Sequence, residues 1–237
     1  MKKTTYFTLI VTLIFSIVTS CVSEDATPVR IPPIEGSVLT LNEKADPTEA
    51  NQFWIDLSSG NMKQTHRELW DLGFYCGDEF RLMLNSSLVM SVGKIENVTD
   101  INAVNSETVK DLQDLVQAAN FTDNAHYVDN PNGDIVNQTT GIAPISADDS
   151  QNNVYLLNMG YKTYAGTTSP GTIYNIGESR GWKKIRILRH SLGYKIQYAN
   201  LDDSSYNEFI ISKDSEYNYR FFSFTTGSYA DIQPKKK

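Results

Sequence analysis

In the stretch Tyr194-Lys195-Ile196-Gln197-Tyr198, apolar and polar side chains alternate without a break. This pattern is typical of a strand in an antiparallel sheet that buries one face and exposes the other to water. Similar aromatic and aliphatic runs surround it, and each ends in residues that favour turns. The runs cover residues 182–189, 206–211 and 217–224. Together these segments predict an antiparallel meander in the C-terminal part of the chain.

Working back from the meander, the sequence continues to favour strands. Short apolar runs bounded by turn residues predict strands over residues 52–57, 69–76, 80–85, 88–92 and 154–159. One amphipathic helix is expected over residues 106–119, because its apolar residues recur every three or four positions. Residues 121–153 are polar and predict long loops. The fold class is therefore mainly β: one antiparallel β-rich domain over residues 51–226 with one or two short helices, followed by a disordered tail over residues 227–237.

The composition and the N-terminal residues limit the functions that the protein can have. The chain has 237 residues, 40% of them hydrophobic and 21% charged, which is typical of a globular protein. Lys2 and Lys3 precede an apolar run over residues 6–18, which is too short for a bilayer span and predicts a signal peptide over residues 1–20. Its removal leaves 19 basic and 28 acidic residues, a formal charge of −9. So acidic a chain is not expected to bind nucleic acid.

The sequence Val18-Thr19-Ser20-Cys21 resembles a bacterial lipobox. The resemblance implies cleavage before Cys21 and acylation of that cysteine, with residues 21–50 as a flexible tether. The acidic cluster Val22-Ser23-Glu24-Asp25 is similar to the signal that exports lipoproteins of Bacteroidetes-type bacteria to the cell surface. We therefore expect a protein anchored by lipid to the outer membrane and facing the exterior. An ordinary signal peptide followed by a chance cysteine is the alternative.

No catalytic motif is recognisable in the sequence. It has no Gly-rich phosphate loop, no Gly-x-Ser-x-Gly elbow and no His-Glu-x-x-His. Acidic residues are numerous enough for a carboxylate pair that hydrolyses glycans, but abundance alone does not indicate one. The run Asp129-Asn130-Pro131-Asn132-Gly133-Asp134 offers oxygen ligands for calcium without the spacing of an EF-hand, and a simple turn is the alternative. We therefore expect a protein that is not an enzyme.

Several aromatic segments carry a family resemblance. Trp54-Ile55-Asp56-Leu57-Ser58-Ser59-Gly60 and Leu69-Trp70-Asp71-Leu72-Gly73-Phe74-Tyr75 resemble the opening strands of the HmuY-like haem-binding lipoproteins of Bacteroidetes-type bacteria. Trp182, the run 193–198 and the aromatic run 217–224 resemble that family's C-terminal half. The resemblance implies a β protein that captures haem and passes it to a TonB-dependent outer-membrane receptor. It also implies two axial iron ligands, which are histidine in some members and methionine in others.

Iron ligation of this kind needs an apolar slot and two opposed donor side chains. We predict His126, which lies beside an aromatic residue in the polar loops, and Met159, which ends an apolar strand run. The separation of these two residues resembles the ligand spacing in family members. A solvated loop histidine and a core methionine are the alternatives. The remaining histidines and methionines are expected on the surface or in the core: His66, His190, Met62, Met83 and Met90.

Two other functions stay open. A surface lipoprotein of this kind could bind a glycan or another protein through exposed tryptophan and tyrosine on its loops. A carboxylate-dependent glycan hydrolase is the enzymatic alternative.

Overall fold

The structure is a computed structural model, and it describes residues 46–118, 126–130, 141–233 and 235–236. The predicted signal peptide, the predicted acylation site Cys21 and residues 21–45 of the predicted tether lie outside the described residues. Among the helices that are described, none has the length and apolar character required to cross a bilayer.

The described residues form eleven strands, one α-helix and several 3₁₀ turns. The strands are β1 Asn51–Asp56, β2 Asn61–His66, β3 Leu72–Tyr75, β4 Leu82–Leu84, β5 Ser91–Lys94, β6 Val154–Asn158, β7 Trp182–His190, β8 Gly193–Asn200, β9 Asn207–Ser212, β10 Tyr219–Ser223 and β11 Ser228–Ala230. The helix, α1, spans Lys110–Leu115. All strand pairs are antiparallel. The prediction of a mainly β fold with antiparallel sheets and short helices is confirmed.

The strands build three sheets. A five-stranded sheet has the order β5-β6-β7-β8-β9, a four-stranded sheet has the order β11-β10-β3-β4, and β1 pairs only with β2. The predicted meander is present in β7, β8 and β9, where Ile196 pairs with Ile187 on one side and Phe209 on the other. The meander ends there. Strand β10 leaves that sheet and pairs with β3, so Phe222 lies opposite Leu72.

The two larger sheets pack face to face around the main hydrophobic core. From the four-stranded sheet, buried side chains such as Leu72, Phe74 and Phe222 enter this core. From the five-stranded sheet, Tyr155 and Ile196 do the same. Because alternate residues of a strand point to opposite faces, the intervening residues of β6 are free to pack on the outside of the sheet.

Each outer face of the two-sheet core is covered as well. Helix α1 and its flanking loops cover the five-stranded sheet, where Val116 packs with Leu156 of β6. The hairpin β1–β2 covers the four-stranded sheet. Its Trp54 packs edge-on against Trp70 at 6.2 Å and against Phe221 at 5.1 Å between ring centroids. The aromatic residues that suggested the family resemblance thus bind the hairpin to the sheet.

Several predicted elements are wrong in extent. The strands predicted over residues 69–76 and 80–85 span only Leu72–Tyr75 and Leu82–Leu84, and residues 67–69 form a 3₁₀ turn. The predicted strand over residues 88–92 begins only at Ser91, because residues 86–88 form a 3₁₀ turn and Val89 adopts a left-handed conformation at φ 61°. The predicted helix over residues 106–119 is helical only from Lys110 to Leu115. At its start, the side chains of Asn105 and Thr108 bond to each other's main chain, which favours a turn over a helix.

Two strands were missed. The polar run Asn61–His66 forms β2, since pairing with β1 supplies its main-chain partners whatever its side chains are. Strand β11 lies within the predicted disordered tail, and Ile232 beyond it is only 1% exposed. The prediction of disorder is therefore corrected for residues 228–232, which belong to the folded domain.

Candidate functional site

The predicted ligand His126 lies in a short described segment, residues 126–130, and its side chain is exposed. Residues 119–125 before it and 131–140 after it are outside the described part of the chain. The neighbouring Tyr127 is half-buried and packs against the cluster beneath α1. His126 is thus accessible from solvent.

The predicted ligand Met159 lies in the main core and is only 2% exposed. Its main chain is held on both sides: the amide N–H donates to the Gly181 carbonyl at 3.0 Å, and its carbonyl accepts from the Arg180 guanidinium at 3.2 Å. Its position agrees with the alternative of a core methionine. Ligation by its sulfur therefore requires the side chain to leave the core, and the His126/Met159 pair stays a prediction.

The other candidate donors fall into two groups. His190 is exposed at the hairpin between β7 and β8, and Met62 is 41% exposed, both as expected. Met90 is 2% exposed in the main core, and Met83 packs against the aromatic cluster around Trp70. These four side chains are explained by packing or by solvation.

Between β6 and β7 the chain makes a long excursion, residues 160–180, which we call the arm. Its base is closed by a bridge between Tyr161 and Ser179 and by main-chain bonds from Lys162 and Gly177 across the two halves. Further out, the rings of Tyr164 and Tyr174 stack at 4.8 Å with an angle of 20° between planes. The arm therefore presents a paired aromatic surface beside the sandwich.

Two clefts border the arm, each with a volume of about 570 Å³. This volume lies in the usual range for small-molecule and cofactor sites. The first cleft is lined by Lys162, Thr163, Tyr164, Ala165, Gly166, Ile176, Gly177 and Glu178. The second is lined by Asp46, Pro47, Glu49, Thr168, Ser169, Pro170, Gly171, Thr172 and Ile173. The first cleft has an aromatic wall residue, Tyr164, whereas the second has none, and each is lined by two charged residues.

A chain of hydrogen bonds from His66 and Glu68 holds the wall of the first cleft. Thr163 donates to the Glu68 carboxylate through its hydroxyl at 2.7 Å and through its main-chain N–H at 2.8 Å. Burial raises the pKa of Glu68, but the two Thr163 donors, together with the nearby His66 and Arg180, outweigh this effect, so the pKa lies below its ordinary value. His66 Nδ1 accepts from the Glu68 N–H at 3.3 Å, so its proton belongs on Nε2, which lies 3.5 Å from the Thr163 hydroxyl.

The role of His66 was not foreseen from the sequence, which predicted a solvated side chain. Its partner Thr163 is 97 residues away, and no local pattern indicates the contact. Because both of its ring nitrogens contact hydrogen-bonding groups, the His66 imidazole supports the wall of the first cleft.

The base of the arm is joined to the core by a buried ion pair. Arg180 Nη2 lies 2.6 Å from Asp71 Oδ1, with the two side chains 8% and 0% exposed. The other carboxylate oxygen of Asp71 accepts the Phe224 N–H at 2.7 Å. Burial raises the pKa of Asp71, while the Arg180 guanidinium opposes that shift. The aspartate of the Trp70-Asp71 motif therefore ties the four-stranded sheet to the arm.

Metal sites other than haem iron find little support. Within the described ranges, His, Cys, Asp and Glu form no group of three or more that could hold a metal. In the calcium candidate 129–134, the Asp129 carboxylate accepts the N–H groups of Leu84 at 2.6 Å and Gly141 at 3.4 Å, and residues 131–134 are not described. Burial raises the pKa of Asp129 to about 6. Asp129 thus has a structural role at the edge of β4.

Similarity to known proteins is found at the level of the family. No curated protein and no solved structure matches the chain. The family model described as HmuY protein matches residues 48–233, which include the hairpin β1–β2, both larger sheets, the arm and β11. This family is associated with haem binding. Since the match covers well over half of its 237 residues, the chain belongs to the HmuY family.

Proposed function

We propose that this protein binds haem at the cell surface and delivers it to a TonB-dependent outer-membrane receptor, held to the membrane by acylated Cys21. The observation that carries the proposal is the family match over residues 48–233. The lipobox-like sequence before Cys21 supports the anchor, and the clefts beside the arm support capture of a small molecule. Capture and transfer require no chemical turnover, which agrees with a chain that lacks catalytic motifs.

A haem group needs a cleft of sufficient volume with an apolar wall. The first cleft has a volume of about 570 Å³, and Tyr164, Ala165 and Ile176 give it apolar contacts. Neither His126 nor Met159 lines this cleft or the second one. An imidazole or thioether supplies the axial bond to iron when haem is bound. His126 is exposed and accessible, whereas Met159 needs a local opening of the main core beside Gly160 and Arg180. We therefore propose His126 as the more accessible ligand and Met159 as the second.

A visible absorption titration with haem tests this function. Met159→Leu is preferable to alanine, because leucine keeps the core volume and costs little stability. We expect a sharp Soret band for the natural chain, weaker binding for His126→Ala, and an altered Soret maximum for Met159→Leu. His190→Ala is the matched control, because His190 is exposed on a hairpin turn and should leave the titration unchanged.

A folded chain that gives no Soret band with haem would contradict the proposal. Binding that His126→Ala and Met159→Leu leave intact would contradict only the ligand assignment. Labelling with radioactive palmitate that persists in Cys21→Ser would contradict the anchor.

One observation favours a second candidate, the binding of a glycan or protein. The stacked Tyr164 and Tyr174 rings offer an aromatic surface of the kind that packs against sugars and protein partners. Glycan binding that is lost in Tyr174→Ala, with no haem spectrum, would support this alternative.

A further inference from the structure

The hairpin β1–β2 carries an apolar face that points away from the rest of the domain. Phe53 and Ile55 of β1 are 36% and 41% exposed, and Met62, which pairs with Ile55, is 41% exposed. Leu57, just after β1 at the hairpin tip, is 91% exposed. We call these four side chains the hairpin face. A cluster of large exposed apolar side chains on one element indicates a contact surface.

Charged residues of the hairpin do not lie on this face. Lys63 lies opposite Trp54 in the pairing register, on the inward side, and its ammonium lies 3.9 Å from the Asp231 carboxylate. Asp56 lies two residues after Trp54 and therefore points to the same, inward side of the hairpin. Its carboxylate accepts hydrogen bonds from the turn residue Ser58. Because Trp54 is fixed against Trp70 and Phe221, the hairpin cannot turn its apolar face inward. The described residues therefore leave this face exposed.

The area of the face argues against a second copy of the chain. From their exposed fractions, the four side chains offer about 400 Å², roughly half of what each partner buries in a stable interface of standard size. A weak contact of this size becomes effective when a tether already holds the two surfaces together. The hairpin begins at Asn51, 30 residues after Cys21, and such a segment spans at most about 110 Å when fully extended.

We propose that the hairpin face rests on the lipid surface to which Cys21 is anchored, with Leu57 inserted among the lipids. This inference rests on the proposed acylation at Cys21 but not on haem binding. The charge balance determines how the face would bind lipid. A mature chain of formal charge −9 gains no net attraction from anionic headgroups, so the uncharged face binds by burial of apolar area. The lipid surface thus fixes the orientation of the domain relative to the membrane.

The test uses the full acylated chain on phosphatidylcholine vesicles. An environment-sensitive fluorophore is attached to Leu57→Cys, and the control carries it on Leu192→Cys. Both variants also carry Cys76→Ser, because Cys76, the sequence's other cysteine besides Cys21, is a free thiol that would take the label too. Leu192 is 85% exposed at the tip of another hairpin, so it is matched in residue type and exposure. We expect a blue shift and quenching by lipid-borne quenchers at position 57 and neither at position 192. Adding Phe53→Ser and Met62→Ser should reduce the shift at position 57.

Several results overturn the inference and can be told apart. If the chain floats with the vesicles but the spectra at positions 57 and 192 are equal, the anchor stands and the lipid contact of the hairpin face is overturned. A blue shift that grows with protein concentration without lipid assigns the face to a second copy, and a shift only with added receptor protein assigns it to a protein partner. A chain that does not float with vesicles overturns the anchor and the face together, while the haem titration remains a separate measurement.

Discussion

Replacing Arg180 by glutamine removes the positive partner of a carboxylate that water does not reach. The Asp71 side chain is 0% exposed, and its two oxygens bond to the Arg180 guanidinium at 2.6 Å and to the Phe224 N–H at 2.7 Å. Arg180 also donates to the Met159 carbonyl at 3.2 Å. The substitution therefore leaves a buried charge without its ion-pair partner and loosens the arm at its base.

Breaking a buried pair by removing one partner costs about 3–5 kcal/mol, because the remaining charge stays buried. The pH dependence has a definite sign. Burial already raises the pKa of Asp71, and loss of Arg180 raises it further. A carboxyl whose pKa is higher in the folded than in the unfolded state lowers stability as pH rises through that interval. The free energy lost in Arg180→Gln should therefore be larger at neutral pH than in weak acid.

Urea denaturation at neutral and at weakly acidic pH measures both effects. Lys162→Gln is the control, because its ion pair with Glu178 lies on the same arm but is 54% and 85% exposed. Such a surface pair is worth about 0–1 kcal/mol. A loss in Arg180→Gln as small as that in Lys162→Gln, or one that grows in acid, would refute the reasoning.

Two further predictions concern stability. Burial raises the pKa of Asp129 from 3.8 to about 6. At about 1.4 kcal/mol per pKa unit, the natural chain should lose about 3 kcal/mol of stability as the pH rises from about 3 to about 7, with about 2 kcal/mol of that loss between pH 4 and pH 6. In urea denaturation, Asp129→Asn should flatten this part of the pH profile of the free energy of unfolding. Asp148→Asn should not, because the pKa of that carboxyl is lowered. An unchanged pH dependence in Asp129→Asn would contradict the raised pKa of Asp129. Ile232→Ala should lower the free energy of unfolding by about 2–5 kcal/mol, because Ile232 is only 1% exposed. Leu192→Ala, at an exposed position, should lower it by almost nothing. Equal thermal stability of the two variants would support the predicted disordered tail instead.

The secondary structure was the most predictable level. The alternation over residues 194–198 and the neighbouring runs predicted β7, β8 and β9, because a strand with one buried face imposes a period of two on its own residues. The missed strands, β2 and β11, are the ones whose sequences lack this period. Their order depends on pairing with β1 and β10, which supply the hydrogen-bond partners.

The candidate site was less predictable, since its contacts join distant parts of the chain. The sequence suggested His126 and Met159 as candidate donors, but only the structure showed that His126 is exposed and that Met159 is buried in the core. No feature of the sequence indicated that His66 supports the cleft wall through Thr163. Pairing of chemical groups across the fold leaves no periodic trace in the residues between them.

The sequence by itself determined the β-rich class, the family and the absence of recognisable catalytic motifs, because these depend on local periodicity and on short motifs. Only the tertiary structure decided that β10 changes sheets, that Asp71 meets Arg180 across 109 residues, and that the described residues leave the hairpin face exposed. The physical reason is that burial and charge pairing are properties of neighbours in space, and those neighbours exist only once the sheets have packed.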